Sequence, residues 1–237
     1  VNQKPSVIFI TTTPYPHGMA ITNRLHLNAK GLQEAGACVK IFIFDTPESS
    51  ASKPRNDQPC GVFDNVPFEY ATGKTTYAPN FLVRKFERYS SIIKCIFRIL
   101  NLNKGDFVFF FPYSLSTLLL IRFVTSIKRI YLICERTEHP YYHKPITGLK
   151  GILHILFVRF VYRLYDGIIV ISEGIKDFLS KTTNAKVPIF VTPVLFNPDE
   201  FKPVGNSHVK DIIFTTGNLT EENGGILTLL SAFALIS

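Results

Sequence analysis

Short, predominantly apolar runs recur along this chain, each followed by a segment of helical period, and that alternation narrows its fold more than any other feature. Val7–Ile10, Val39–Phe44, Phe107–Phe111, Arg129–Cys134 and Gly167–Ile171 are rich in β-branched and aromatic residues. A strand with no polar alternation is buried on both faces, which is the condition of a parallel sheet flanked by helices. Between the first two runs, Ala20–Ala35 places Ile21, Leu25, Leu32 and Ala35 near a helical period, and Gly36 stands where a helix C-terminal cap belongs. This is a βαβ unit. Val66–Tyr70 reads as a further strand, Phe81–Leu100, Ser114–Ser126, Leu149–Tyr165 and Glu173–Ser180 as helices, and Ile189–Thr192 as the last strand before the proline-punctuated stretch Pro193–Pro203. Asp45–Asp64 and Glu135–Pro145 read as loops. After Pro203 the pattern restarts, with strand Asp211–Thr216 and helix Gly224–Ile236. The expectation is an α/β protein, a doubly wound, Rossmann-like parallel sheet over residues 1–203, followed at 204–237 by the first βα unit of a second such domain, cut short.

Hydrophobic residues make up 46% of the 237 and charged residues 19%, which excludes a disordered chain. Lysine and arginine outnumber aspartate and glutamate 26 to 18, a formal charge of +8 that favours anionic partners. Within Phe81–Leu100, Arg84, Lys85, Arg88, Lys94 and Arg98 face only Glu87, and His139–Tyr165 holds no acid. Both segments alternate their charges with apolar residues, as expected of helices docking on anionic lipid or of ordinary solvated faces. No nucleic-acid module is recognisable, so nucleic acid is not expected as a partner. Cys38, Cys60, Cys95 and Cys134 form no CxxC pair and read as reduced, mostly buried thiols of a cytoplasmic protein. No apolar stretch reaches the length of a membrane span, and a soluble or peripheral protein at the inner face of a membrane is expected.

Ligands of open parallel sheets bind beyond the carboxyl ends of the strands. Four turns there carry candidate chemistry. In Thr12–Ala20, Gly18 lets a ligand approach the backbone ahead of a helix N-terminus, or belongs to an ordinary strand-to-helix turn. At Gly167–Gly174, Ser172 and Glu173 open a helix, and helix capping alone explains Ser172. Glu135, Arg136 and Glu138, with His139, set two carboxylates, a guanidinium and an imidazole at a sheet edge, suited to sugar hydroxyls or acid–base work. Pro140 breaks the helix on which His139 and His143 would pair on a metal, so none is expected. The last turn, Thr215–Gly225, holds Gly217 and Asn218 in a strand–loop–helix shape fit for a diphosphate, without the Gly-Lys-Ser/Thr of a Walker loop.

Val7–Ala20, Tyr165–Ile175, Val191–Pro203 and Ile213–Asn218 with Gly224–Phe233 together resemble, in order and spacing, the family 4 glycosyltransferases of the GT-B fold. The resemblance implies two Rossmann-like domains, with a nucleotide sugar held mainly by the C-terminal one and a glycan or lipid-linked acceptor mainly by the N-terminal one. It implies transfer with retention, no metal cofactor, and a place in polysaccharide biosynthesis. It also sets Gly18 and Gly217 beside the donor phosphates and Glu135 near a position where many members carry a substrate-contacting histidine, which makes Glu135 the catalytic candidate. Asn218 stands where members commonly have arginine, Glu222 or Asn223 where they have lysine, and the two-glutamate motif lies beyond Ser237. The chain by itself is therefore expected not to turn over. A non-catalytic module binding a glycan or a partner is the alternative.

Overall fold

The computed structural model describes residues 4–45, 48–49, 54–111, 114–139, 148–183, 187–195 and 226–234. The chain divides into two compact units, Val1–Asn197 and Pro198–Ser237. Within the second, the described part is one helix, α6 (Ile226–Ala234), on which Leu227 and Leu230 are exposed. Strand Asp211–Thr216 and the residues Gly217 and Asn218 lie outside the described residues.

The first unit runs β1 (Ser6–Thr11), α1 (Ala20–Glu34), β2 (Cys38–Ile43), β3 (Glu48–Ser49), β4 (Cys60–Phe63), β5 (Val66–Tyr70), β6 (Thr76–Tyr77), α2 (Phe81–Leu100), β7 (Phe107–Phe110), α3 (Leu115–Lys128), β8 (Tyr131–Arg136), α4 (Gly148–Val161), β9 (Gly167–Val170), α5 (Glu173–Thr183) and β10 (Ile189–Val191). Eight strands form one sheet in the order β10-β9-β8-β7-β1-β2-β5-β4, and β3 pairs with β6 separately. Every pairing in the large sheet is parallel except β4 with β5. This is an α/β protein with a doubly wound, Rossmann-like sheet. Winding proceeds from β1 outward through β2, then returns to the other side of β1 through β7. The direction of winding thus reverses between β1 and β7.

The apolar runs do what their composition requires. On one face Ile8, Ile10, Phe42, Val108, Leu132 and Ile168 pack against Cys95, Leu118, Val158 and Leu179 of the helices. On the other, Val7, Phe9, Ile41 and Phe68 pack against Leu25 and Ala29 of α1. Gly36 takes φ +98°, and the N–H groups of Gly36 and Ala37 donate to the carbonyls of Gln33 and Leu32, a Schellman closure of α1.

Several boundaries differ from the sequence expectation. The stretch Asp45–Asp64 is not all loop: Cys60–Phe63 is an edge strand, joined to β5 by Asp64 and Asn65 at φ +46° and +66°. Two left-handed residues in a two-residue turn match the twist of a hairpin. Arg129 belongs to no strand; it takes φ +56° at the C-terminus of α3, so β8 begins at Tyr131 and runs on to include Glu135 and Arg136. Cys95 and Cys134 are buried, whereas Cys38 and Cys60 are exposed. Their positions at the start of β2 and on edge strand β4 explain the difference.

Glu69 ties helix α2 to the sheet. Its carboxylate accepts from Lys40 Nζ at 2.6 Å and from Arg98 Nη2 at 2.8 and 2.9 Å. Partial burial pushes its pKa up, but the two cations outweigh this and hold it below the ordinary glutamate value. A depressed folded pKa stabilises the fold above the unfolded value and loses that contribution as pH falls through the folded one. Glu69→Gln is expected to lower stability at pH 7 by about 1 kcal/mol, the size of a partly exposed pair. Urea melts of the two proteins should converge as pH drops below the usual glutamate range; a gap unchanged at pH 3 counts against the assignment.

Candidate functional site

The reversal between β1 and β7 leaves a crevice at the carboxyl edge of the sheet, and a cavity of about 290 Å³ occupies it. Phe9, Phe109, Phe110 and Phe111 supply an aromatic floor, Phe9 and Phe109 stacked with centroids 4.5 Å apart. Thr11, Thr12 and Thr13 bring hydroxyls from the end of β1. Ile21, Arg24 and Leu25 enter from α1, and Glu135, Arg136, Thr137 and Glu138 from the end of β8.

The loop after β1 is held in place before any ligand arrives. Tyr70 Oη donates to the carbonyl of Tyr15 at 2.8 Å and accepts its N–H at 3.0 Å. Asn56 does the same for His17, at 2.8 Å in both directions. Tyr15 is fully buried, its hydroxyl 2.8 Å from His26 Nδ1, and burial followed by the Asp64 charge raises its pKa above the usual tyrosine value. Side-chain anchors of this kind pre-form a pocket wall, since the loop backbone has no ladder of its own to join.

Glu135 is committed to structure as well as to the cavity. Arg24 Nε donates to Glu135 Oε1 at 2.6 Å, and Asn28 Nδ2 donates to the same oxygen at 2.9 Å. The other two nitrogens of Arg24 donate to the carbonyls of Pro193 and Thr192, at 2.7 and 2.8 Å. One guanidinium thus joins α1, β8 and the segment that follows β10. Behind Glu135, Cys134 is buried and its thiol is pushed up to about 12 by burial, an inert core group.

Arg136 lies with its guanidinium carbon 5.3 Å from the Phe111 ring centroid and donates from Nε to the carbonyl of Glu138 at 2.8 Å. Stacking on the floor and bonding to the loop fix it in the wall. The structure therefore brings together Glu135, Arg136 and Glu138 of the sequence candidates.

Gly18, Ser172 and Glu173 do not line this cavity. A Cβ on Gly18 would stand 1.9 Å from Thr22 Oγ1, 2.8 Å from Thr22 Cβ and 3.0 Å from the Pro14 carbonyl, so the close approach of the Thr22 side chain and the Pro14 carbonyl requires a glycine here. Thr22 Oγ1 donates to that carbonyl at 3.0 Å. Ser172 accepts from the Ile175 N–H at 3.4 Å as an N-cap, and exposed Glu173 pairs with Lys176 at 3.1 Å. Both belong to the start of α5. His139 packs 4.2 Å from the ring of Phe178, and His143 lies outside the described residues. Among the described residues no three His, Cys, Asp or Glu side chains cluster as metal ligands would.

The chain matches no known family model, and no curated protein matches it. Among solved structures it is similar to an α,α-trehalose-phosphate synthase (UDP-forming) from Burkholderia vietnamiensis, at 11% identity and a TM-score of 0.44. The match covers 84% of this chain and 50% of that one, so the chain spans half the length of that structure.

Arg24 and Asn28 are the site residues that sequence reading passed over. A signal for them existed. Spaced i, i+4, they fall on the same helical face as Ile21, Leu25 and Leu32, and a cation on an apolar face needs a buried partner.

Proposed function

We propose that the chain is the acceptor-side part of a GT-B glycosyltransferase, moving a sugar from a nucleotide-sugar donor to a glycan or lipid-linked acceptor. The observation that carries the reading is the cavity at the winding reversal, whose wall combines an aromatic floor with threonine hydroxyls, one stacked guanidinium and two carboxylates. Saccharides present alternating apolar ring faces and polar hydroxyls, and a site of this composition meets both. The four stretches that resemble family 4 add the donor side. Glu135 and Arg136 are assigned to acceptor hydroxyls, Glu138 to the rim, and Gly217 and Asn218 to the donor diphosphate.

In the proposed reaction the bond from the anomeric carbon to the diphosphate oxygen breaks, and the leaving diphosphate keeps the electron pair. The acceptor oxygen bonds to that carbon, and its proton passes to the departing diphosphate oxygen. Retention of the anomeric configuration and a role in polysaccharide assembly follow from the resemblance, and a cytoplasmic location is proposed from the unpaired cysteines. Because Arg24 and Asn28 already hold Oε1, Glu135 acts by orienting the acceptor.

Saturation-transfer NMR on the 237-residue chain tests the reading. Mono- and disaccharides should show contacts that Arg136→Ala weakens about tenfold, equivalent to ~1.4 kcal/mol. Absence of contact with any saccharide or nucleotide sugar removes the proposal. Saccharide binding without release of nucleoside diphosphate by any longer form of the protein would leave the non-catalytic binding module in its place.

A further inference from the structure

Helix α2 carries two apolar faces, and only one is used by the fold. Ser91, Cys95 and Ile99 are buried on the inner side. On the outer side Leu82, Phe86, Tyr89, Ile93, Phe97 and Leu100 form a single stripe at spacings of four, three, four, four and three residues, and all six are exposed. Phe86 and Leu82 are 75% and 73% exposed, values at which a phenylalanine and a leucine gain almost nothing from the folded chain. The stripe extends over nineteen residues, about 27 Å of helix. Helix α3 packs beside α2 and turns its own Leu119, Leu120, Phe123 and Ile127 outward.

Basic residues outnumber acidic ones on both helices, although Arg98 of α2 is paired with Glu69 and Arg122 of α3 with Asp166. Helix α3 has no acidic residue, and the single acid of α2, Glu87, is bonded to Lys74 at 2.8 Å. In the first two turns of α2, ahead of its first buried residue, Arg84 and Lys85 sit 5.0 Å and 4.6 Å from the rings of Tyr77 and Phe81. At helical spacing Lys85 flanks the stripe, one residue before Phe86, whereas Arg84 falls in line with Ser91 and Cys95; a basic side chain beside an apolar stripe matches the boundary between acyl chains and anionic headgroups. A neutral protein surface would satisfy the stripe but not the cations. No helix among the described residues is long and apolar enough to cross a membrane, so contact is by lying on it.

We infer that the outer faces of α2 and α3 are a docking surface for an anionic lipid bilayer, with α2 lying in the plane of the interface. This stands independently of the sugar-transfer reading, because none of these residues lines the cavity. It also narrows the sequence expectation, which offered lipid docking or an ordinary solvated face for both Phe81–Leu100 and Leu149–Tyr165.

The test is flotation of the purified chain with phosphatidylcholine vesicles, with and without phosphatidylglycerol. Binding is expected with the anionic vesicles alone, reduced by salt. Phe86→Glu with Phe97→Glu should lower the bound fraction at least tenfold while leaving the thermal melt in place, since both side chains are already in solvent. The chain has no tryptophan, so Phe86→Trp supplies a second readout: its emission should shift to the blue on anionic vesicles and be quenched by brominated lipid. Equal indifference to both vesicles, equal binding by the double variant, or an unshifted tryptophan would each overturn the inference. So would a self-associated dimer, seen by light scattering, that the double variant dissolves in a chain with no lipid binding.

Discussion

Arg24→Ala is expected to destabilise the first unit by about 3 kcal/mol, at the lower end of the range for breaking a buried ion pair. The arginine side chain is 9% exposed and the Glu135 side chain 20%, so some of the stranded charge is relieved by water. The loss has two parts. Among the described residues Glu135 keeps the bond from Asn28, and the carbonyls of Thr192 and Pro193 lose the Arg24 donors. Arg24→Lys should rescue little, because one ammonium cannot reproduce a planar fork reaching three acceptors on two segments. Urea denaturation measures the first part. Hydrogen exchange at the Thr192 amide, which donates to Val170 at 2.8 Å, measures the second and should quicken more than exchange in β1. A variant within 0.5 kcal/mol of the parent would show that the clamp does not hold the segment.

Gly18→Ala is expected to cost about 2–3 kcal/mol through overpacking. The added methyl overlaps Thr22 Oγ1 and crowds the Pro14 carbonyl, which the anchored loop cannot move aside. Thr22→Ala alone should cost about 1 kcal/mol for its lost hydrogen bond. In that background Gly18→Ala should cost clearly less than in the parent, because the closest atom is gone. Two thermal melts and the double variant complete the cycle. The result separates two explanations of one glycine. If Gly18 serves ligand approach, the substitution leaves stability intact and weakens binding; if it serves packing, stability falls with no ligand present.

The structure shows why some of the site was legible and some not. Glu135, Arg136 and Glu138 were readable because an apolar run ending in charged residues marks the carboxyl edge of a parallel strand. Their company was not readable. Phe109 and Phe111 look like any aromatic residues of a central strand until β1 is set beside β7, a pairing across about a hundred residues. Ser172 and Glu173 have the same local signature as a ligand turn, and only the tertiary structure sets them at β9 and α5, away from the residues that line the cavity. The Asp64–Asn65 turn was a plain hairpin signal, yet it was absorbed into a loop because β4 is short and lies at the edge.

The sequence alone determined the layering. Continuous apolar runs must be covered on both faces, so helices must flank a parallel sheet, and that requirement is local in origin. Tertiary structure decided where the winding reverses, which strand ends form one crevice, and that a buried arginine on the first helix grips both a strand-end carboxylate and the segment after β10. Those outcomes depend on strand order and on pairings between distant residues, whose energies are set by packing partners that no window of the sequence contains.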